Sequence, residues 1–296
     1  MAYLFASRFT KFVWLTIACV CLFVGVQLWI NNFKSPNPEK TALEKSYSSA
    51  AQWLINHRDQ IIKEENPILW WMVKQAAIKK QDRNLTELYI DYEKKYLSPP
   101  RKNAWIYLFN PENASAISSS ELQHLPDYNQ FVLYGASCSN SLEESEAVQR
   151  LLKTEFCASH MLSPACITHQ MMGFLFMKRS GCGNPESTSA SILELQDKLV
   201  TQLTYDFRVV DVYLQRILML EESGAHERIK PIWITRVISA QNEDGGWSGF
   251  SPLTPIGNGY YFGYSRTGIG ISENISDFHA TAQGAYLMSL LLSTTQ

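Results

Sequence analysis

The sequence has almost no net charge: 26 Lys and Arg against 28 Asp and Glu leave -2 over 296 residues. It also has no basic stripe interleaved with aromatics, which excludes the electrostatic footprint of a nucleic-acid binder. No long stretch alternates apolar and polar residues as a half-buried strand would, so extended sheets are not expected. Cysteine is missing between Cys21 and Cys138 and again after Cys182. Four cysteines, Cys138, Cys157, Cys166 and Cys182, are therefore confined to one short region.

What is present begins with FVWLTIACVCLFVGVQLWI, Phe12 to Ile30, in which Gln27 is the one strongly polar side chain. Its length suits the ~20 residues a helix needs to cross ~30 Å of hydrocarbon. Trp14 and Trp29 stand near the two ends, where indoles favour headgroups, and Arg8 and Lys11 flank the N-terminal side. A cleaved signal peptide would have a shorter apolar region ending in small residues, whereas this one ends in Gln27, Leu28, Trp29 and Ile30. A lipoprotein reading of Cys19 fails at Thr16, where leucine is needed. The expected topology is a cytoplasmic tail and anchor over 1–33 with residues 12–30 in the bilayer. The body is expected to be periplasmic or extracellular, where four clustered cysteines suggest two disulfides.

KSPNPEK, Lys34 to Lys40, reads as a short extended stalk over 34–40, and the folded part starts near Thr41. Apolar spacing of three and four predicts helices over Ala50–Ile62, Pro67–Lys80 and Leu85–Tyr96. The class is all-α. Ser141 with Glu144 suggests a capping box, Ser163-Pro164 and Lys230-Pro231 suggest helix starts, and Gly181 and Gly224 suggest helix stops. The stretch Asn110 to Asp127 marks a seam between an N-terminal helical segment, 41–125, and a C-terminal domain, 126–296. Trp70 and Trp71 are adjacent, so on one helix they cannot both face one core. In the C-terminal domain, Cys166 and Gln170, Asp211 and Gln215, and His279 and Gln283 form a faint repeat of four-residue pairs, each followed by an apolar run. Between the last two lies a glycine- and tyrosine-rich stretch, Gly257 to Gly270, expected to be a long irregular loop.

RVISAQNEDGGW, Arg236 to Trp247, resembles the QW motif of the terpene-cyclase and protein-prenyltransferase β-subunit superfamily. DFHATAQGAYLMSLLL, from Asp277, resembles the inner helix of that family that carries a histidine near its start. The resemblance covers about residues 160 to 296 and implies an α/α toroid of concentric helices. Physically, Gly245 and Gly246 permit a chain reversal, Asp244 can bond turn amides, Gln241 can reach exposed helix-end groups, and Trp247 can cover the polar cluster. The motif is expected to be a structural clasp.

Chemistry of the family's kind is not expected. The Asp-rich acid motifs of a terpene cyclase are missing. His279 falls where a prenyltransferase would have a zinc ligand, but its Asp-x-Cys partners are absent. Cys157-x2-His160 with Cys166-x2-His169 has zinc-ligand types, yet the gap between the pairs is short for a structural site, and two disulfides are the favoured alternative. No cofactor motif is present. A pocket at the toroid centre could bring together His169, Asp211 and His279, with Tyr260 and Tyr261 from the loop, which are the ingredients of general acid–base work. The leading expectation is a binding or assembly role toward a protein or glycan partner. The alternative is a membrane-tethered hydrolase or lyase acting on a glycan or lipid.

Overall fold

The computed structural model describes residues 2–98, 103–115, 119–158 and 165–294. Its longer helices are α1 (Ala2–Asn32), α2 (Lys40–Asn56), α3 (Pro67–Lys80), α4 (Arg83–Tyr92), α5 (Asp127–Ser137), α6 (Glu146–Leu151), α7 (Cys166–Ser180), α8 (Pro185–Tyr205), α9 (Asp211–Glu222), α10 (Pro231–Ser239) and α11 (Phe278–Thr294). Three strands, β1 (Phe250–Gly257), β2 (Tyr260–Ser265) and β3 (Ile269–Glu273), lie between α10 and α11. The chain is thus mostly helical.

Local chemistry explains most boundaries. Asn66, Asp82 and Asn184 accept from the first amides of α3, α4 and α8, and Pro67, Pro185 and Pro231 occupy first turns. Gly181 ends α7 and Gly224 follows α9, both at positive φ. The expected box of Ser141 and Glu144 does not form. Ser145 stands nearer and caps α6 by accepting from the Val148 amide, while Ser141 belongs to the separate turn Asn140–Glu143. The π turn Glu93–Leu97 continues α4 past Tyr92. His160, Ser163 and Pro164 lie outside the described residues.

The stretch expected to be an irregular loop is an antiparallel sheet of order β1-β2-β3. Gly257 pairs with Tyr260 across Asn258 and Gly259, both at positive φ, which is the tight turn that Asn-Gly favours. Pro252 and Pro255 are tolerated because β1 is an edge strand, and register shifts beside each of them disrupt the alternation that a strand ordinarily shows.

Among the helices, α5 packs on α7, α7 on α9, α9 on α11 and α11 on α3, and the helical turn Ile106–Phe109 touches both α3 and α5. Around them, α6 lies on α5, α8 on α7 and α9, α10 on α9 and α2, α2 on α11 and α4, and α4 on α3. One continuous core runs from Leu43 to Leu292, so the segments 41–125 and 126–296 share it across the seam at 110–127. Both indoles of α3 are buried after all. Trp70 stacks on Tyr92 at 4.9 Å, while Trp71 meets Phe176 at 4.9 Å and carries the Arg179 guanidinium over its ring. A helix enclosed by α4 on one side and α11 on another has core in both directions.

Disulfides join Cys138 to Cys182, tying the ends of α5 and α7, and Cys157 to Cys166 at the start of α7. The second removes both thiolates from the zinc-ligand pattern. Cys19 and Cys21 are free in α1.

Residues Lys11–Asn32 of α1 are long and apolar enough to cross a membrane, and nearly all of their side chains are exposed until the last two turns. There the helix meets the body, and residues 34–39 follow without regular structure, as a short extended connection would. Asn31 is fully buried: Nδ2 donates to the Leu203 carbonyl (2.7 Å), Oδ1 accepts from the Tyr213 hydroxyl (2.9 Å), and its carbonyl accepts from Trp233 Nε1 (2.9 Å). Asn32 adds bonds to the Thr204 carbonyl and Lys230 Nζ. The helix end is welded to α8, α9 and α10, so residues 34–39 only carry the chain from that junction to α2.

The turn after α10 is a second junction. Gln241 Nε2 donates to the carbonyls of Ser46 (2.9 Å) and Gly245 (2.7 Å), and its Oε1 accepts from the Ser46 hydroxyl. Asp244 accepts from Trp53 Nε1 (3.0 Å), the Ser276 hydroxyl (2.7 Å) and the Gly246 amide (3.0 Å). Gly245, at φ 94°, lies so close to Ser49 that a Cβ would fall 2.5 Å from its carbonyl oxygen. Trp247 donates to the Val237 carbonyl (2.8 Å) and lays its ring on Gly284 rather than on the polar cluster. The turn therefore fastens α2, α10 and α11 to one another.

Two stability predictions follow from these junctions. Asn31→Ala leaves the Tyr213 hydroxyl and Leu203 carbonyl buried without partners, and should cost about 2–4 kcal/mol in urea denaturation of the detergent-solubilised full chain. Gly284→Ala places a Cβ 2.4 Å from the Trp247 ring and should destabilise by about 1–3 kcal/mol, reversing the usual gain of alanine over glycine in a helix.

Candidate functional site

Several helices bring their first turns to one region. Tyr128 and Asn129 come from the start of α5, His169 from α7, Asp211 and Gln215 from α9, and His279 and Gln283 from α11. A cavity of about 370 Å³ is lined by Asn129, His169, Gln215, His279, Gln283 and Arg266 among others. A neighbouring cavity of about 540 Å³ is lined by Asp211, Asp277, Glu64 and again Arg266 and His279. The two share Asn66, Leu69, Arg266 and His279, and both sizes suit small-ligand sites, which run from ~300 Å³ upward.

The supports of this region are polar and well bonded. Asp277 opens α11, accepting from the Ala280 amide (2.8 Å) through Oδ1 and from the Gly249 amide (2.8 Å) through Oδ2. The α8–α9 connection is fixed by Asp206, which accepts from Arg208 Nε (2.7 Å) and from Arg216 Nη1 (2.7 Å). Burial opposes ionisation of that carboxyl, but the two guanidiniums outweigh it and hold the group below the usual carboxylate range. Thr168 of α7 donates to Gln215 of α9 at 2.8 Å, and Gln170 Nε2 donates to the carbonyls of Leu151 and Lys153.

Several buried acceptors have no partner, Gln170 Oε1 and both Glu221 oxygens among them, and three belong to residues that line the two cavities. Asn129 Oδ1, Asp211 Oδ1 and Gln283 Oε1 are buried without a hydrogen-bond partner. Asp211 is 8% exposed and Gln283 1%. The other oxygen of Asp211 has Arg266 Nη1 at 3.7 Å. Buried acceptors are ordinarily satisfied, and three of them on residues lining adjoining cavities, from three helices, form a set that a ligand's donors could satisfy after small side-chain shifts.

His169 completes the set. Its Nδ1 lies 2.6 Å from the Ala165 carbonyl, and its ring packs on Tyr128 at 4.3 Å. Burial is the main cause that lowers its pKa to about 4; the Ala165 bond and Asp211 oppose the shift, while His279 and Arg266 add to it. The imidazole is neutral at pH 7. Nδ1 must then carry the proton it gives to Ala165, which leaves Nε2 as an acceptor.

The structure brings His169, Asp211 and His279 to these joined cavities, but not with the tyrosines expected beside them. Tyr260 lies on the sheet, its hydroxyl bonded to Glu273, and lines a third cavity along β3, which also has Ile269 and Ile271 in its wall and adjoins the one beside Asp211. Tyr261 follows it in β2, opposite Ser272 of β3. Arg266 and Asn129 were not legible as site residues, since a lone arginine in a turn and an asparagine in a helix's first turn carry no spacing signal. No protein family's pattern matches the chain, and no curated protein or solved structure is significantly similar to it.

The pH dependence of stability follows from His169. Its folded pKa lies below its unfolded value of about 6.5, so the unfolded chain binds more protons between those values and stability falls as pH drops from 6.5 toward 4. Urea titrations across that window should show a loss on the order of 3 kcal/mol at most, and His169→Gln should flatten the slope.

Proposed function

We propose that the protein is a single-pass membrane protein whose extracytoplasmic body binds a hydroxyl-rich ligand of the glycan class in the joined cavities. The observation that carries this reading is the trio of unpartnered buried acceptors, Asn129 Oδ1, Asp211 Oδ1 and Gln283 Oε1. Hydroxyl groups donate to such oxygens, and the same groups can accept from Arg266 and donate to the neutral His169 ring. A role in binding needs no general acid or nucleophile beyond these.

The helix contacts support an α/α-toroid arrangement with α3, α5, α7, α9 and α11 as the inner layer and the even-numbered helices α2 to α10 as the outer. In that arrangement the cavities occupy one end of the inner layer. The anchor reading is supported by Asn31: a body that takes its hydrogen bonds from the residue just after the apolar run has its anchor built into the fold. Two disulfides support an oxidising compartment for the body, with the N-terminus in the cytoplasm.

A second reading, a membrane-tethered hydrolase or lyase on a glycan or lipid, is favoured by one observation. His279 lines both cavities, His169 one and Asp211 the other, so carboxylate and imidazoles border one region.

Thermal unfolding of the full chain in nanodiscs, with soluble oligosaccharides of the malto, cello and chito series, tests the first reading. At least one series should raise the Tm by about 2–4 °C at saturating concentration. Asp211→Asn should weaken that ligand about tenfold, the loss of one charged hydrogen bond. No shift from any series would overturn the reading, and release of new reducing ends, lost in Asp211→Ala and His279→Ala, would select the hydrolase.

A further inference from the structure

One face of the sheet is buried at Tyr264, which packs on Phe207, but no described residue covers it at Phe262, Ile269 and Ile271. Antiparallel partners share a face, so Phe262 pairs with Ile271 and Tyr264 with Ile269 on the same side. Phe262 is 43% exposed, Ile271 64% and Ile269 65%, and Leu253, Ile256 and Ile275 nearby are exposed as well. From 248 to 276 the only charged side chains are Arg266 and Glu273, in a protein with 18% charged residues overall. An apolar patch with aromatic residues and almost no charge has the composition of a membrane-interface element.

The occupant follows from where the sheet is fastened. Arg208 Nη1 donates to the carbonyls of Ser265 (3.4 Å) and Arg266 (3.5 Å), and Phe207 packs edge-on to Tyr264 at 5.7 Å. The same connection, a few residues earlier, holds the end of α1 through the carbonyls of Leu203 and Thr204. Five residues span at most ~18 Å of chain, so the sheet and the exit of the apolar helix are mounted side by side on one short segment. Residues 12–30 rise about 28 Å as a helix, the thickness of the hydrocarbon, which sets Asn31 and its partners at headgroup depth.

We propose that the outer face of the sheet, with Phe262, Ile269 and Ile271, rests in the bilayer interface beside α1, so that the molecule touches lipid at two places. This rests on the reading of α1 as a membrane anchor. Because Gly249, Ser265, Thr267 and Asp277 line both the cavity along β3 and the one beside Asp211, the contact also lays a wall of the binding site against the membrane surface.

Lipid-nitroxide quenching of the full chain in phosphatidylcholine–phosphatidylglycerol vesicles tests this. Three single-thiol variants carry an environment-sensitive fluorophore: Cys21 itself after Cys19→Ser, and Ile271→Cys and Ser189→Cys after Cys19→Ser with Cys21→Ser. Ile269→Cys repeats the sheet measurement. Ser189 is exposed in the first turns of α8, about 21 Å along the helix from Leu203. Interface-bound labels should lose about half or more of their emission to headgroup or shallow-chain nitroxides, and the label at position 21, midway through the span, to deep-chain nitroxides. Quenching at positions 21 and 271, with 189 unaffected, is the expected result. Quenching at 21 with neither sheet label quenched overturns the sheet contact and leaves the anchor standing. A blue-shifted but unquenched sheet label would place a second protein surface there, and also overturns it. An unquenched label at 21 removes the anchor and this inference with it.

Discussion

Everything from α2 to α11 depends on how three elements meet around the carboxylate of Asp244. Its oxygens take donors from Trp53 of α2, from Ser276 just before α11 and from the Gly246 amide of its own turn, while Gln241 reaches Ser46. Hydrogen bonds to a charged acceptor are worth about twice neutral ones. They matter here because they join parts of the chain some 190 residues apart in one continuous core. The glycines are what let the joint close: at Gly245 the backbone passes too near Ser49 for any side chain, and at Gly284 the helix surface is bare so that the Trp247 ring can lie on it. Geometry of this kind fixes α2 on α11, and with it the order in which α3 and α9 find their places on either side.

The same residue types do two different jobs at the two ends of this argument, and their partners tell them apart. Gln241 and Asp244 are saturated by protein donors and acceptors; Asp211 and Gln283, also an acid and an amide at helix ends, keep buried oxygens with no partner. A buried unsatisfied acceptor costs about 1–3 kcal/mol, so three in one region are a standing penalty that folding alone does not reward. The surroundings make the contrast sharper. Asp206, one connection away, is fully engaged by Arg208 and Arg216, which shows that the fold can supply donors where structure alone needs them.

How much of this was legible in the sequence divides along physical lines. The helices with regular apolar spacing and a cap, such as Pro67–Lys80, could be read directly, and so could the clasp role of QNEDGGW, because a turn motif names its own residues. The faint repeat was informative for the same reason: it placed Cys166, Asp211 and His279 at helix starts before any packing was known. The sheet was missed because Pro252, Pro255 and two register shifts spoil its alternation, although Asn258-Gly259 was a hairpin signal in plain view. The bonding of the helix end to the body left no signal, because two prolines describe how a backbone leaves a helix and say nothing of the asparagine before them. Asn31 became decisive only through Leu203, Tyr213 and Trp233, residues far along the chain. The pairing of Trp70 and Trp71 failed as an argument because it assumed one core direction for a helix that has two.

A rigid junction between an apolar helix and a folded body changes what weak contacts can accomplish. A flexible stalk would let the body tumble, and each exposed side chain of the sheet would meet lipid only at bulk probability. With Asn31 and Asn32 bonded into α8, α9 and α10, a bilayer around α1, as proposed above, would meet any surface mounted near that junction at an effective concentration in the millimolar range or above. At such concentrations a contact worth about 4 kcal/mol is already half occupied. Removing Phe262, Ile269 and Ile271 from water is worth roughly 1–2 kcal/mol each at their exposures, so the sheet reaches that scale without any charged lipid contact. Only Arg266 and Glu273 are charged in residues 248–276, and on the proposed contact Glu273, which shares the face through its pairing with Tyr260, is the ion that has to be held clear of the lipid.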